Sequence, residues 1–448
     1  MSARTRRLVI ALVLLVSTGA CAGYLQEASW GLDGINKMTT PVDAPFTCNL
    51  QIPPDTLQSQ RAACAFTAGA HPSESLGIPS TVSTALPIRH IIIAMKENRS
   101  YDHLFGNLNH EGQPDSEPVP ADFVNLDLKG NPVSPFHLDT TCVQTDPDHQ
   151  SAAVVSEIAG GTMGGFVKNA AISTETDGHF AMGEYDSSDF PFYYWLANTF
   201  ALSDRHFAPM QSGTFANRNF LLFGTNAGVI DTGITFPPPS TTSIFQTLMA
   251  AGFTWGVYTD GSPFSGSLGW DADDPGVHPF NELLTALDNG TLPNVVFVDG
   301  LDNVQDDHPP ADVQVGEAWL KKIYDHAASS PEWQRLAIIY TYDEAGSFAD
   351  HVPPPSGCQA APSDSPFTGF GPRVPLVAIS PWAKRHYVSH VVHDHTAITR
   401  FIETVFDLPA LTARDANSDA LLDLFDFSCE RDLTPPTAPG AGAGGCKN

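Results

Sequence analysis

Basic residues are scarce in this chain. Lys and Arg together number 22 against 50 Asp and Glu in 448 residues, so the formal net charge is -28. A field of this sign repels the phosphate backbone of nucleic acids and the surface of anionic lipid bilayers. The sequence therefore predicts no nucleic-acid partner and at most transient contact with a membrane surface.

Long apolar segments are missing beyond the first residues. The chain begins MSARTRRLVIALVLLVSTGACAG, where arginines precede an apolar stretch at residues 8–16 and small residues follow. This layout is typical of an export signal at residues 1–22, and the stretch is too short to span a bilayer as a permanent helix. We therefore expect an exported protein that is periplasmic, attached to the cell surface or secreted. Residues 18–21 also resemble a lipobox, which leaves open a lipid anchor at Cys21.

Cysteine is sparse, and no two cysteines have the CxxC spacing that indicates zinc. Removal of residues 1–22 would leave an even number, namely Cys48, Cys64, Cys142, Cys358, Cys429 and Cys446. An even number in an exported chain predicts disulfides, although the pairing cannot be read from one sequence.

The two ends of the chain differ in composition from its centre. Residues 23–86 are rich in Pro, Ser, Thr and Ala without periodicity, and we interpret them as an irregular extension. Residues 434–448, TPPTAPGAGAGGCKN, have low complexity and are predicted to be flexible. The catalytic domain is therefore expected at residues 87–433.

Short apolar runs alternate with helical patterns within that domain. The runs IRHIIIAM, TWGVYTDG, NVVFVDG, RLAIIYTYDE and VPLVAIS are continuously apolar, which is typical of strands buried on both faces of a parallel sheet. Apolar residues recur at helical spacing over 241–252, 312–326 and 396–406. The alternation predicts an α/β sandwich with a mostly parallel central sheet and helices on both faces.

Polar side chains follow three of these runs, at the sheet edge where ligands of open α/β sheets bind. Those that offer oxygen ligands are Glu97, Asn98, Asp343 and Glu344, and a third run is followed by Asp302, Asp306, Asp307 and His308. Crowded carboxylates are costly to bury without a cation, and oxygen ligands suit a hard divalent ion such as Mg²⁺, Ca²⁺ or Mn²⁺. Any one pair is equally compatible with solvated loop residues or helix caps, but the set together predicts a metal site.

The segment QSGTFANRNFLLFG, residues 211–224, predicts the start of a buried helix. Ser212, Gly213 and Thr214 resemble an N-terminal cap. A hydroxyl at a helix start lies beside free backbone N–H groups, where it can receive an anion or act as a nucleophile. On spacing alone, a capping threonine with no further role remains the alternative.

Three histidines lie next to an aspartate in the sequence: His149 in DPDHQ, His308 in DDHPP and His351 in ADHVPPP. A neighbouring carboxylate can orient the ring or raise its pKa, which makes the ring a donor to negative charge. The chain has 16 histidines, so most must have no such role, and His206 and His395 are weaker candidates.

Together these motifs resemble a known family, the bacterial phosphoesterases that include phospholipase C enzymes and secreted acid phosphatases and have an alkaline-phosphatase-like fold. HIIIAMKENRSYDHLFG is similar to the first signature of the family, LSDRHFAPMQSGTFANRNFLLFG to its nucleophile segment and YDEAGSFADHVPPP to its Asp-Glu string. GPRVPLVAISPWAK and VVHDHTAITRFIETVFDLPALTARD are similar to the carboxyl-terminal signatures. The resemblance covers about residues 87 to 427, in order.

The resemblance implies roles for particular residues. The implied metal ligands are Glu97, Asn98, Asp343 and Glu344. Thr214 stands at the place of the hydroxyl nucleophile, which would also touch the ion. His149 and His308 match histidines that contact the phosphoryl group, and His351 is a looser match for a catalytic histidine. Arg218 follows the nucleophile as in the family, where phosphate contact and a salt-bridge role are both open.

The chain also departs from the family pattern. Phospholipase members usually have GPTWPNR around the nucleophile, where this chain has SGTFANR, and Ala345 and Ser347 stand where His and Gly are common. These differences leave the substrate class open. The resemblance therefore predicts an exported, metal-dependent phospholipase C that acts on a phosphate ester through Thr214, or alternatively a broad-specificity acid phosphatase for small phosphomonoesters. An inactive metal-binding surface protein is a third possibility, which the intact site residues disfavour.

Overall fold

The computed structural model describes residues 50–231, 238, 240–263, 274, 276–360, 368–428 and 431–446. The predicted export signal, Cys21, Cys48 and Cys429 lie outside these ranges. Within them, no helix is both long enough and apolar enough to cross a bilayer.

The described elements alternate between helices and strands. The helices are α1 Gln58–Ala62, α2 Pro72–Ser75, α3 Ser80–Ser83, α4 Tyr101–Phe105, α5 Ser151–Ile158, α6 Phe166–Thr174, α7 Pro191–Thr199, α8 Thr214–Phe223, α9 Ile244–Ala251, α10 Phe280–Asn289, α11 Val313–Ser329, α12 His395–Phe406 and α13 Ala413–Ala416. The strands are β1 His90–Lys96, β2 Asn125–Leu126, β3 Pro132–Val133, β4 Phe136–His137, β5 Gly183–Glu184, β6 Ala201–Ser203, β7 His206–Phe207, β8 Trp255–Tyr258, β9 Val277–His278, β10 Val295–Val298, β11 Leu336–Tyr342, β12 Leu376–Ile379, β13 Tyr387–Ser389 and β14 His393–Asp394.

The core of the fold is an eight-stranded sheet in the order β13-β6-β12-β11-β1-β10-β8-β9. Strand β12 is antiparallel to both of its neighbours, and every other neighbouring pair is parallel. The predicted α/β fold with a mostly parallel sheet is confirmed, and all five predicted strands lie in this sheet. The reversed direction of β12 was not predicted, because a strand buried on both faces has the same apolar pattern in either direction.

The centre of the sheet is its most apolar part. Every residue of β1 and of β11 is buried, and these two strands lie side by side in parallel. Strands of this kind can only be stable in the middle of a covered sheet, because both of their faces must leave water. The residues that directly follow β1 and β11 in the sequence therefore lie close together at one edge of the sheet.

The described parts of the two terminal segments are attached to this body. In the described part of the extension, residues 50–86 contain α1 to α3, and Cys64 is disulfide-bonded to Cys358. Cys446 is disulfide-bonded to Cys142, and the backbone N–H of Gly442 donates to Glu317 Oε2 of α11 at 2.6 Å. The composition of residues 434–448 predicted a flexible tail. This flexibility stays a prediction, and the described residues of the segment have specific partners, which a low-complexity composition does not indicate.

Candidate active site

The strand ends bring together the first predicted ligands. The register pairs Lys96 of β1 with Tyr342 of β11, so Glu97 and Asp343 are the next residues at the sheet edge. The backbone N–H of Asp343 donates to the carbonyl of Lys96 at 3.0 Å, which continues the strand pairing past the last paired residues. The two segments that sequence analysis connected are therefore adjacent.

Asn98 and Glu344 carry buried polar atoms that have no hydrogen-bond partner. The Asn98 side chain is fully buried, and neither its Oδ1 nor its Nδ2 has a hydrogen bond; Glu344 Oε1 is in the same position. Asn98 has φ 64°, and a Cβ added to Gly346 would lie 2.5 Å from the Asn98 Cβ, so the close approach of these two loops requires the glycine. Because an unpaired buried oxygen is costly, these atoms indicate that the site is built to hold a further group.

Arg218 lies among the carboxylates. Its guanidinium contacts Glu97 Oε1 at 2.8 Å, Asp343 Oδ2 at 3.1 Å and Asp299 Oδ1 at 3.2 Å. Of the two roles left open for this residue, these contacts are those of a salt bridge. They do not support the predicted contact with phosphate, because the N–H groups in these contacts are directed at carboxylates.

The electrostatics of the strand ends favour a bound cation. Burial raises the pKa of Glu97 to about 8 against the opposing charge of Arg218. Burial also raises the pKa of Glu344 to about 8 against the opposing charge of His149. A hard divalent ion would stabilise the ionised carboxylates and use the unpaired oxygens, so the residues fit such a group. Among the described residues, the acids Glu97, Asp343 and Glu344 do not form a group with ligand atoms within 4.8 Å of one another.

Thr214 is the first residue of α8. The N-cap is Gly213, and no side chain makes the capping hydrogen bond, so the predicted hydroxyl cap is not observed. Asn217 instead fixes the turn, because its Nδ2 donates to the carbonyls of Ser212 at 2.6 Å and Gly213 at 3.1 Å. The Thr214 hydroxyl is therefore not used to start its own helix.

An open cleft of about 580 Å³ collects side chains from distant parts of the sequence. Four of the predicted site residues line it: Glu97, His149, Thr214 and His308. The same cleft is lined by Phe215 and by several acids, namely Asp146, Asp148, Asp302 and Asp306. The candidate nucleophile, one candidate metal ligand and two candidate phosphate contacts therefore share one solvent-accessible space.

The two cleft histidines use Nδ1 in the same way. His149 donates its Nδ1–H to the carbonyl of Pro147 at 2.8 Å, and His308 donates its Nδ1–H to the carbonyl of Pro309 at 2.7 Å. In both rings Nε2 is left to act in the cleft. Burial lowers the pKa of His149, but the charges of Glu344 and Asp146 outweigh burial and raise it to about 9.

Asp146 is a site residue that sequence reasoning missed. One of its carboxylate oxygens lies 3.6 Å from His149 Nδ1 and the other lies 3.8 Å from His308 Nε2. Adjacency in the sequence instead predicts Asp148 and Asp307 as the partners of these rings. The only signal for Asp146 was its position three residues before His149 in TDPDHQ.

Asp307 points into the protein instead. Its Oδ1 accepts from the fully buried Lys96 Nζ at 2.6 Å, and its Oδ2 accepts from Tyr342 at 2.6 Å and from Tyr193 at 3.1 Å. Asp307 has φ 70°, so this internal attachment also sets the course of the backbone that leads to His308. Lys96 therefore supports the cleft from inside the sheet.

His351 is not among the residues that line the cleft. Its Nδ1 and its backbone N–H both contact Asp102 Oδ2 at 2.7 Å, and Arg373 contacts the other oxygen of Asp102 at 2.7 Å. The structure therefore places His351 against Asp102 and outside the cleft that Thr214 lines. Of the weaker candidates, His395 supports the site indirectly, because its Nε2 donates to the Asp343 carbonyl at 2.8 Å.

Fold and cleft define an α/β protein whose parallel strands end in buried carboxylates beside a helix that begins with a hydroxyl residue. The sequence model of the Phosphoesterase family matches residues 88–409, and the chain belongs to that family. Membership makes the chain a hydrolase of phosphate esters.

Named relatives are similar over most of the chain. The non-specific phospholipase C1 of Arabidopsis thaliana is 31% identical over 74% of this chain and 69% of its own length. The phospholipase C B of Mycobacterium tuberculosis is 29% identical over 84% of this chain and 86% of its own length. Among solved structures, a protein of the alkaline phosphatase superfamily from Vibrio parahaemolyticus matches with a TM-score of 0.34 and 9% identity, over 71% of this chain and 77% of its own.

Proposed function

We propose that this chain is an exported, metal-dependent phosphoric ester hydrolase of the phospholipase C type with Thr214 as its nucleophile. The observation that carries the proposal is the position of Thr214. It begins α8, makes no capping bond and lines one cleft together with Glu97, His149 and His308. Since the backbone N–H groups at a helix start are unpaired, a phosphoryl group beside Thr214 would meet donors as well as a nucleophile.

The metal would be held at the ends of β1 and β11. The residues proposed for this role are Glu97, Asn98, Asp343 and Glu344. The buried oxygens of Asn98 and Glu344 that have no hydrogen bond support this assignment. When bound, a hard divalent cation supplies positive charge that favours the ionised form of a nearby hydroxyl and offsets charge on phosphate oxygens.

The reaction follows from the chain's own groups. Attack of Thr214 Oγ1 forms a bond to phosphorus and breaks the bond from phosphorus to the leaving oxygen. The proton lost by the hydroxyl balances the proton gained by the leaving alcohol. Protonated His149 donates from Nε2 to a phosphoryl oxygen, for which its raised pKa is suitable, and Nε2 of His308 contacts the phosphoryl group. Water then hydrolyses the phosphate ester formed on Thr214 and restores the hydroxyl.

Two observations support export and a phospholipid substrate. Cys64–Cys358 and Cys142–Cys446 are disulfides, which persist in oxidising compartments outside the cytosol. The relatives that match along most of this chain are phospholipases C from a plant and from a bacterium. A phospholipase C breaks the ester bond between the diacylglycerol oxygen and phosphorus, so the phosphate leaves together with the head group.

The test is the hydrolysis of soluble substrates by Thr214 variants. We expect Thr214→Ala to lower kcat/KM for p-nitrophenylphosphorylcholine by at least about 1,000-fold, because the nucleophile is removed. Thr214→Ser should keep measurable turnover, since it keeps the hydroxyl. Mass spectrometry of enzyme acid-quenched during turnover of this substrate should find phosphorylcholine on residue 214 in the wild type and in Thr214→Ser only.

Control measurements separate the nucleophile from the fold and the metal. Thr285→Ala removes an exposed threonine hydroxyl of α10 that bonds only to the Asn281 carbonyl, so its activity should equal that of the wild type. A chelator should abolish turnover, and added divalent ion should restore it. Near-normal turnover by Thr214→Ala would refute the proposed nucleophile. Hydrolysis of p-nitrophenyl phosphate but not of the choline ester would instead identify a phosphatase.

A further inference from the structure

Exposed aliphatic side chains lie on segments that line the cleft or are bonded to the segment that leads to Thr214. Among the described residues, few large apolar side chains are exposed, and four of them are Ile172 at 70%, Ile230 at 44%, Leu301 at 37% and Val304 at 43%. We call these four residues the cleft rim. Single exposed aliphatic residues are ordinary on protein surfaces, whereas several on the segments that form one opening indicate a contact surface.

Each rim residue belongs to a segment that forms a wall of the cleft. Ile172 precedes Ser173, which lines the cleft near the end of α6. Asn169 of the same helix donates to the Asp148 carbonyl at 2.7 Å, which attaches α6 to the loop that carries His149. The carbonyl of Ile230 accepts from the Ser212 hydroxyl, two residues before Thr214.

The other two rim residues lie on the wall that leads to His308. Leu301 and Val304 flank Asp302 and Asn303, which line the cleft. The Val304 N–H donates to the Leu301 carbonyl at 3.0 Å, so the two side chains stand on one closed turn. The rim therefore extends along both the His149 wall and the His308 wall.

We propose that the cleft rim docks on the surface of a zwitterionic phospholipid bilayer and so brings a lipid phosphate to Thr214. This inference rests on the proposed function and names the physical form of its substrate. Aliphatic side chains gain free energy by entering the interface of a bilayer, and a cleft that opens between them would face the head groups.

Charge selects the kind of bilayer. The chain has a formal net charge of -28, and the cleft carries the carboxylates of Asp146, Asp148 and Asp302 at its opening. An anionic surface would be repelled by this face, whereas the ammonium of a zwitterionic head group would be attracted to it. A phosphatidylcholine surface therefore fits the rim and the acids together.

Vesicle binding tests the docking surface without turnover. In full-length protein that carries Thr214→Ala, we expect cosedimentation with phosphatidylcholine vesicles. Ile172→Asp and Leu301→Asp should each weaken this binding by about five-fold, since each removes apolar area and adds a charge. Val392→Asp is the matched control, because Val392 is 48% exposed and lines no part of the cleft, and it should bind as the parent does. Thermal unfolding confirms that each variant is folded.

The outcomes distinguish the docking surface from the proposed function. Three results would each overturn the proposed docking surface. They are unchanged binding by Ile172→Asp and Leu301→Asp, binding to phosphatidylglycerol vesicles alone, and no binding to any vesicle. With Thr214 intact, the ratio of lipid hydrolysis in vesicles to hydrolysis of p-nitrophenylphosphorylcholine should fall in the two rim variants. If the wild type hydrolyses neither substrate, the proposed function fails. The vesicle-binding result still shows whether the cleft rim is a docking surface.

Discussion

Individual side chains in the cleft depend on partners that are not their neighbours in sequence. His149 and His308 each donate Nδ1–H to a proline carbonyl, and their shared acidic neighbour is Asp146. Adjacency to Asp148 and Asp307 indicated that these histidines were worth considering, but it did not give their contacts. A side chain's direction depends on backbone torsion, as the φ of 70° at Asp307 illustrates, and torsion cannot be read from residue type.

The ionisation of His351 leads to a prediction about stability that does not depend on catalysis. Burial lowers its pKa, but the hydrogen bonds to Asp102 and Glu117 outweigh burial and raise the pKa to about 9, above the ordinary value of 6.5. Its protonated ring therefore stabilises the fold fully below about pH 6.5, and the contribution is lost as the pH rises through 9. We expect His351→Gln to lower the free energy of unfolding by about 2 kcal/mol at pH 6.5 and by much less at pH 9.5.

Urea denaturation at a series of pH values measures this difference. His110→Gln is a suitable control, because His110 is an exposed histidine whose side chain contacts only Asn109. Its effect on stability should be small at every pH. A stability loss in His351→Gln that stays constant from pH 6.5 to 9.5 would show that the ring acts through packing and not through its charge.

At the scale of elements, most of the sheet could be predicted and its edges could not. Continuous apolar runs identified β1, β8, β10, β11 and β12, because strands with both faces buried must be apolar throughout. The short strands β6, β9 and β13 have too few residues for any periodicity to be visible. The helix at α8 was predicted, but its cap was not, since a glycine and the side chain of Asn217 organise the turn.

Helix α11 packs closely against the loop before His308, and this packing predicts the effect of a substitution at Gly316. A Cβ on Gly316 would lie 1.7 Å from Asp307 Oδ1 and 2.2 Å from Lys96 Nζ. Gly316→Ala should therefore displace the buried ion pair and destabilise the fold by about 1–3 kcal/mol, although alanine favours a helix more than glycine does. Because Asp307 precedes His308, we also expect kcat/KM to fall by about ten-fold.

Denaturant unfolding and steady-state kinetics check the two effects together. Gly440→Ala is the control, because a Cβ at Gly440 would meet no atom within 4 Å. That variant should match the wild type in both measurements. Wild-type stability in Gly316→Ala would contradict the close packing described for α11, and a destabilised variant with normal kinetics would remove Asp307 as a support for His308.

Over the whole molecule, the carboxyl-terminal segment is bonded to a residue that connects the two histidine loops. Thr141 Oγ1 donates to Asp312 Oδ1 at 2.8 Å, which connects the segment before His149 to the segment after His308. The backbone N–H groups of Gly445 and Cys446 donate to the other oxygen of Asp312 at 2.8 and 2.9 Å. An even cysteine number predicted disulfides, but which loops they join depends on tertiary contacts between residues about 300 positions apart, which spacing does not encode.

This arrangement predicts that the two disulfides differ in function although they are similar in stabilisation. Replacing both Cys142 and Cys446 by serine should lower the free energy of unfolding by about 2–5 kcal/mol, because the unfolded chain regains a long loop. The same loss is expected for the matched double variant at Cys64 and Cys358. Only the first pair should also lower kcat/KM, since of the two disulfides only Cys142–Cys446 fixes the segment that bonds to Asp312 beside the histidine loops. Guanidinium unfolding and hydrolysis of p-nitrophenylphosphorylcholine below the unfolding transition measure both quantities, and equal activity in the two double variants would show that the carboxyl-terminal attachment stabilises the fold without positioning the site.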